Sequence, residues 1–135
     1  MTVEITLAQI QQAAKALENV TLHTPTLLSP WLSEQAGTPI YLKLENLQVL
    51  SSFKARGAFI KLSELSPNQR RKGVITMSAG NHAQGVAYHA RALDIAATIV
   101  MPKNTPFAKV ESTEKLGCTL ILKGNSLNEA GSICL

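Results

Sequence analysis

Three short apolar runs constrain this chain more than any other feature: "VITM" (74–77), "ATIVM" (97–101) and "CTLIL" (118–122). Runs of this length, continuous but for one β-branched threonine each, mark strands buried on both faces, as in a parallel sheet covered by helices. The stretches between them have helical period. Ala83, Val86, Ala87, Ala90 and Leu93 share one face, and Phe107, Val110 and Glu114 lead through Leu116 to Gly117. Parallel neighbours cannot be joined by hairpins, so the pattern predicts right-handed βαβ units in an α/β fold of three layers, α/β/α.

The first fifty residues read differently. Thr6 is placed to cap a helix whose apolar positions are Leu7, Ile10, Ala14 and Leu17. "HTPTLLSP" ends that helix with two prolines, and Ser29 to Ala36 predicts a short helix stopped by Gly37. "PIYLKLE" (39–45) alternates in part, as a strand does, and residues Ser52 to Leu65 read as a helix closed before Pro67. At the other end Ser126 and Glu129 have capping-box spacing, which announces a further helix just before the sequence stops at Leu135. The expectation is the front part of a longer protein.

Composition removes several classes of function. Hydrophobic content of 45% with 16% charged residues belongs to a globular chain. The net charge of +4 invites a nucleic-acid reading, but the cations are scattered apart from "RRK" (70–72), and aromatics are only 4%. Neither a basic stripe nor a stacking platform results. Cys118 and Cys134 are far from metal or redox spacing and read as reduced core thiols. No signal-peptide pattern and no apolar run of the roughly 18 residues a membrane span needs is visible. A cytoplasmic protein with no membrane partner is the expectation.

Two stretches can carry chemistry. In "VITMSAGNHAQG" (74–85) a strand runs into a small-residue turn and a helix opens near Asn81. Ser78, Ala79 and Gly80 are small enough for backbone N–H groups to approach a ligand, with the positive end of the helix behind them. An ordinary strand-to-helix turn is the competing reading. Gly80 and Gly85 have the spacing of a phosphate loop, but Val86 and Ala87 stand where that loop needs Lys and Ser or Thr, and no GxGxxG is present. The loop therefore suits a carboxylate or small anion better than a nucleotide.

The second stretch is "SSFKARGA" (51–58). With Ser51 or Ser52 as cap, Lys54 sits in the first turn of a helix, where the backbone's partial positive charge disfavours an ammonium. A free amine there is what Schiff-base chemistry requires, and Phe53 offers an apolar wall for a flat ring. A solvated surface lysine is the equal alternative from these eight residues. His23, His82 and His89 have no HExxH, carboxylate or cysteine partner at ligand spacing, so no metal site is expected. A serine hydrolase lacks its GxSxG elbow.

"KLENLQVLSSFKARGAFIKL" (43–62) followed by "GVITMSAGNHAQGVA" (73–87) resembles the threonine dehydratase (threonine ammonia-lyase) group. Those enzymes are fold-type II, tryptophan-synthase-β-like, and use pyridoxal 5'-phosphate. The likeness extends from "TPTLL" to "LILKGNSLNEA". It implies that Lys54 holds the cofactor and removes the substrate α-proton, that Phe53 packs on the pyridine ring, and that Asn81 bonds the ring's phenolic oxygen. It also implies that Ser78, Ala79, Gly80, Asn81 and His82 clamp the amino-acid carboxylate. Ala79 stands where serine racemases of the group carry a proton-shuttling serine, which points to elimination. Many members have glycine where this chain has Ser51.

By the same resemblance residues 1–50 are part of the larger, cofactor-binding domain. Residues 51–135 are the smaller substrate domain, cut near its last helix. The glycine-rich phosphate loop and the partner of the pyridine nitrogen lie beyond residue 135. The expected reaction is deamination of L-threonine or L-serine to a 2-oxo acid and ammonia, in isoleucine biosynthesis or threonine catabolism, by a homodimer or tetramer. Alternatives are a related serine racemase or hydroxyaspartate dehydratase, or a noncatalytic remnant.

Overall fold

The computed structural model describes residues 4–132. Helix α1 (Leu7–Ala16) starts where expected: Thr6 Oγ1 accepts the Gln9 N–H, and the Gln9 side chain accepts the Thr6 N–H. Strand β1 (Thr26–Leu28) pairs antiparallel with β2 (Tyr41–Lys43), and helix α2 (Pro30–Ala36) lies between them in sequence. Ser29 caps α2, and Gly37 closes it at φ 65°, a left-handed position that glycine adopts without strain. The two prolines in "HTPTLLSP", which predict an end to the preceding helix, flank β1, so a short strand fits between them.

Two 3₁₀ turns, Glu45–Leu47 and Val49–Ser51, lead into α3 (Lys54–Ser63). Helix α4 (Pro67–Lys72) has Ser66 as cap and places the "RRK" cations in its last turn, where the helix dipole favours them. Strands β3 (Val74–Met77), β4 (Ala97–Met101) and β5 (Thr119–Leu122) form a parallel sheet in the order β3-β4-β5. Val74 is level with Ala97, and Ile99 with Leu120. Helices α5 (Asn81–Ala92) and α6 (Phe107–Glu114) make the two crossovers, and α7 (Leu127–Gly131) follows β5. The parallel α/β architecture expected from the apolar runs is present.

Burial on both faces holds only for β4. Ile99, Val100 and Met101 have no exposed surface, whereas Ile75 on β3 is 44% exposed. The reason is position, since β3 and β5 are the sheet's edges among the described residues. The core beneath α5 joins Ala58, Ala83, Val86 and Ala87 to Ile99 and Met101. Phe107, which shares the helical period of Val110 on α6, is open to solvent. Leu7, Ile10 and Trp31 are also exposed, so the apolar side of the first fifty residues has no cover among the described residues.

Cys118 is half-buried against the sheet, and that burial pushes its thiol above the usual range. Cys134 lies outside the described residues. Ser126 caps α7 by accepting the Glu129 N–H, while the Glu129 carboxylate accepts from Asn125 rather than from the cap residue itself. No helix among the described residues is long and apolar enough to cross a membrane.

Candidate active site

Helices α3 and α5 cross through their smallest residues, which brings the two motifs together. Ala55, Ala58, Ala83 and Ala87 are all buried at or near this crossing. Gly85 is the tightest point: a Cβ there would lie 3.1 Å from the Lys54 carbonyl oxygen and 3.3 Å from the Ala58 Cβ. The glycine, which sequence alone offers as part of a phosphate-loop spacing, is a close-approach residue. It allows the second turn of α5 to rest against the first residue of α3.

Lys54 opens α3 with its side chain half-exposed. Of the two serines expected to cap this helix, Ser52 contributes. It is extended (φ −158°, ψ 145°), buried, and its Oγ accepts the Lys54 N–H at 3.2 Å. Phe53 already has helical angles, so α3 effectively begins one residue before Lys54. Ser51 is not a cap. It and Leu50 lie in the left-handed region, at φ 51° and 61°. That conformation costs roughly 1–2 kcal/mol for each residue with a side chain, a cost that glycine would not carry.

Phe53 is 60% exposed, and the Lys54 Nζ stands 5.0 Å from the centroid of its ring. The Lys54 amine has no carboxylate within salt-bridge reach among the described residues. It is therefore an accessible amine beside an open aromatic face.

The loop after β3 completes the constellation. Ser78 and Gly80 spend their N–H groups internally, on the Val100 carbonyl (3.1 Å) and the Ser78 Oγ (3.2 Å). This narrows the expected anion site. The N–H groups of Ala79, Asn81 and His82 have no acceptor among the described residues and stand at the α5 N-terminus. Asn81 and His82 are exposed, and Ser78, Ala79 and Gly80 are partly so. His82 Nε2 is 3.2 Å from the Thr76 Oγ1. Partial desolvation, and then the nearby Lys54 charge, hold the His82 imidazole below its usual range. That electrostatic contact links the lysine motif to the loop.

His89 is two turns further along α5 and takes no part in the site. It is buried, with the rings of Phe59 and Tyr88 at 5.3 and 5.0 Å in edge contact. His23 is exposed and borders a separate cavity with Lys43 and Arg56. No group of three or more His, Cys, Asp or Glu able to hold a metal exists among the described residues.

Sequence reasoning missed the polar set behind Lys54. Arg56 grips Glu45 with two bonds of 2.8 Å, Nε to Oε2 and Nη2 to Oε1. The Thr24 hydroxyl donates to the same carboxylate at 2.6 Å. Arg56's hydrogen bonds hold the Glu45 carboxyl down to about 2 against the opposing effect of burial, with the Thr24 hydroxyl assisting. These partners are 11 and 21 residues apart, and no local pattern announces them.

Comparison with known proteins finds matches over nearly the whole chain. The family model described as "Pyridoxal-phosphate dependent enzyme" matches residues 17–135. An L-threonine ammonia-lyase of Thermotoga maritima is 50% identical over 126 residues, covering 93% of this chain and 31% of that protein. A catabolic L-threonine dehydratase of Staphylococcus aureus is 46% identical over 126 residues, covering 93% of this chain and 36% of its own. Among solved structures, threonine deaminase isoform 2 from Solanum lycopersicum superposes with a TM-score of 0.81 at 36% identity, over 99% of this chain and 38% of that one. Maize serine racemase superposes at 0.87 with 31% identity, over 98% and 40%. The chain thus spans about a third of the length of the curated relatives it matches.

Proposed function

Because this chain belongs to the pyridoxal-phosphate-dependent enzyme family, we propose that it supplies the reactive amine and the substrate-carboxylate loop of an L-threonine ammonia-lyase. The observation that carries this is a half-exposed Lys54 without an acid partner, set beside an exposed aromatic ring and the open N–H groups at the α5 N-terminus. An unpaired primary amine, a flat apolar face and anion-directed donors are the donor set a pyridine aldehyde and an amino-acid substrate need. The residues present fit the cofactor. Lys54 would hold it, Phe53 would cover its ring, and Asn81 would meet its oxygen.

When bound, the cofactor supplies an electron sink for the substrate's α-carbon. The protein's part is positioning and proton handling. The N–H groups of Ala79, Asn81 and His82 orient the carboxylate, with the dipole of α5 favouring its charge. This fixes the α-carbon over the Lys54 amine, which takes its proton. Ala79 offers no hydroxyl to return a proton from the opposite face, so loss of the β-hydroxyl prevails over racemisation, and hydrolysis completes release of ammonia. We assign residues 1–50 to a larger cofactor-binding domain and 51–135 to the smaller substrate domain. The phosphate grip is contributed from outside this segment.

The test is direct. Borohydride reduction of protein incubated with pyridoxal 5'-phosphate should fix the cofactor on the Lys54 peptide by mass spectrometry, and Lys54→Ala should remove it. L-threonine should yield ammonia and 2-oxobutyrate. The serine racemase likeness makes the rival concrete: rapid L-to-D serine conversion without ammonia would overturn the reading.

A further inference from the structure

The Lys54 turn is unusual in being both strained and tied down. Leu50 and Ser51 are consecutive left-handed residues with side chains. Such a conformation persists only where surrounding interactions over-determine it. Two anchors do so here, one on each side, and both reach the same short segment. Upstream, Gln48 is buried, and its amide reads both backbone groups of Leu22: Oε1 accepts the Leu22 N–H at 2.8 Å, and Nε2 donates to the Leu22 carbonyl at 2.9 Å. The same Oε1 accepts the Val49 N–H at 3.0 Å. Downstream, Arg56 Nη2 donates to that Leu22 carbonyl at 3.2 Å, and Nη1 to the Thr21 hydroxyl at 3.3 Å. Glu45 locks the guanidinium, and Thr24 locks Glu45.

We infer that Gln48, Glu45 and Arg56 are positioning residues, a two-sided clamp on residues 21–24 that sets where the Lys54 amine stands relative to the loop after β3. Each anchor alone would leave one side of the turn free to relax, and relaxation of a left-handed pair swings the residues that follow. Arg56 suits the task because its planar fork satisfies Glu45 bidentately while a third nitrogen remains for Thr21; a lysine supplies the charge but not this geometry. The inference gains its catalytic meaning from the reading of Lys54 as the cofactor lysine. Its test needs no cofactor, so the two can fail separately.

His82 is the reporter, since its titration senses the Lys54 charge. In the full-length protein, the pH midpoint of the His82 ring C–H resonances would be followed by NMR in wild type, Lys54→Met, Arg56→Lys and Gln48→Met. Lys61→Gln serves as control, because Lys61 borders the same crevice as His82. Lys54→Met defines the upward shift expected when the charge is absent. The clamp predicts that Arg56→Lys and Gln48→Met each reproduce most of that shift while far-UV circular dichroism stays native. Lowered unfolding temperatures with a wild-type His82 midpoint in both variants would reduce these residues to ordinary structural contacts and overturn the inference. Should Arg56→Lys fail to fold, Gln48→Met decides. Failure of both to fold would show that the contacts hold the fold as a whole, which also overturns it. A moved midpoint with no cofactor capture at Lys54 would keep the clamp and remove the proposed function.

Discussion

The same substitution at two glycines should act in opposite directions. Gly57 lies on the exposed side of α3, and a Cβ built there meets nothing within 4 Å. Gly57→Ala should therefore yield the full helix-propensity gain of about 0.8–1 kcal/mol. At Gly85 the new methyl would stand 3.1 Å from the Lys54 carbonyl oxygen and 3.3 Å from the Ala58 Cβ. Neither neighbour can rotate away, because one is backbone and the other a β-carbon. The helices must part, at an overpacking cost of about 1–3 kcal/mol, only partly offset by propensity. The variants should differ by about 2 kcal/mol, with wild type between them. Urea unfolding would measure this as midpoint changes at constant slope. Because the displaced atom belongs to Lys54, Gly85→Ala should also weaken borohydride-trapped labelling of Lys54, while Gly57→Ala leaves it unchanged. A Gly85→Ala protein as stable as Gly57→Ala would refute the claim that this crossing is at its steric limit.

Two pH effects follow from buried groups. The Glu45 carboxyl is drawn from its ordinary 4.5 to about 2, so its pairing stabilises the protein fully above the ordinary value and is lost as pH falls through that interval. The shift sets a ceiling of about 3 kcal/mol, and solvent access to the pair reduces the expected loss to about 1–2 kcal/mol. Glu45→Gln should lose that amount at neutral pH and flatten the acid limb of a melting-temperature profile. An unchanged acid limb would show the pair to be energetically idle. Burial pushes His89 below the usual imidazole range, the Ala55 backbone opposing it only in part, and its Nε2 has no partner among the described residues. The unfolded chain therefore binds the extra proton first, and stability falls as pH drops below about 6.5. His89→Leu should reduce that slope, leaving the contribution of His82, whose imidazole is also lowered. A slope unchanged by the substitution would place its source elsewhere.

Local information settled the pieces of this protein whose causes are local. Thr6, Ser29 and Ser126 mark helix starts, because an N-cap bond joins residues about three apart, and Gly37 marks a helix end by taking the left-handed angles that glycine allows. The run "ATIVM" is a buried strand since a short stretch of apolar and β-branched residues is most readily kept out of water in a strand covered on both faces. The lysine and loop motifs stood out because each is a contiguous pattern of residue types, although the backbone angles ahead of Lys54 were not readable from it. The exposure of Phe107 was not legible, because periodicity reveals that a helix has an apolar side without saying whether anything covers it.

What tertiary structure alone decided depends on partners remote in the chain. The edge position of β3 exposes Ile75, and no property of "VITM" itself distinguishes an edge strand from a central one. The left-handed angles of Leu50 and Ser51 run against their own preferences and persist through Gln48 and Arg56 meeting at the Leu22 carbonyl, 26 and 34 residues away. Gly85 is required only because α3 lies across it. Side-chain types in sequence thus determine which chemistry is on offer, while long-range packing and hydrogen bonding determine which atoms meet, because the energy that selects those meetings exists only once distant segments are in contact.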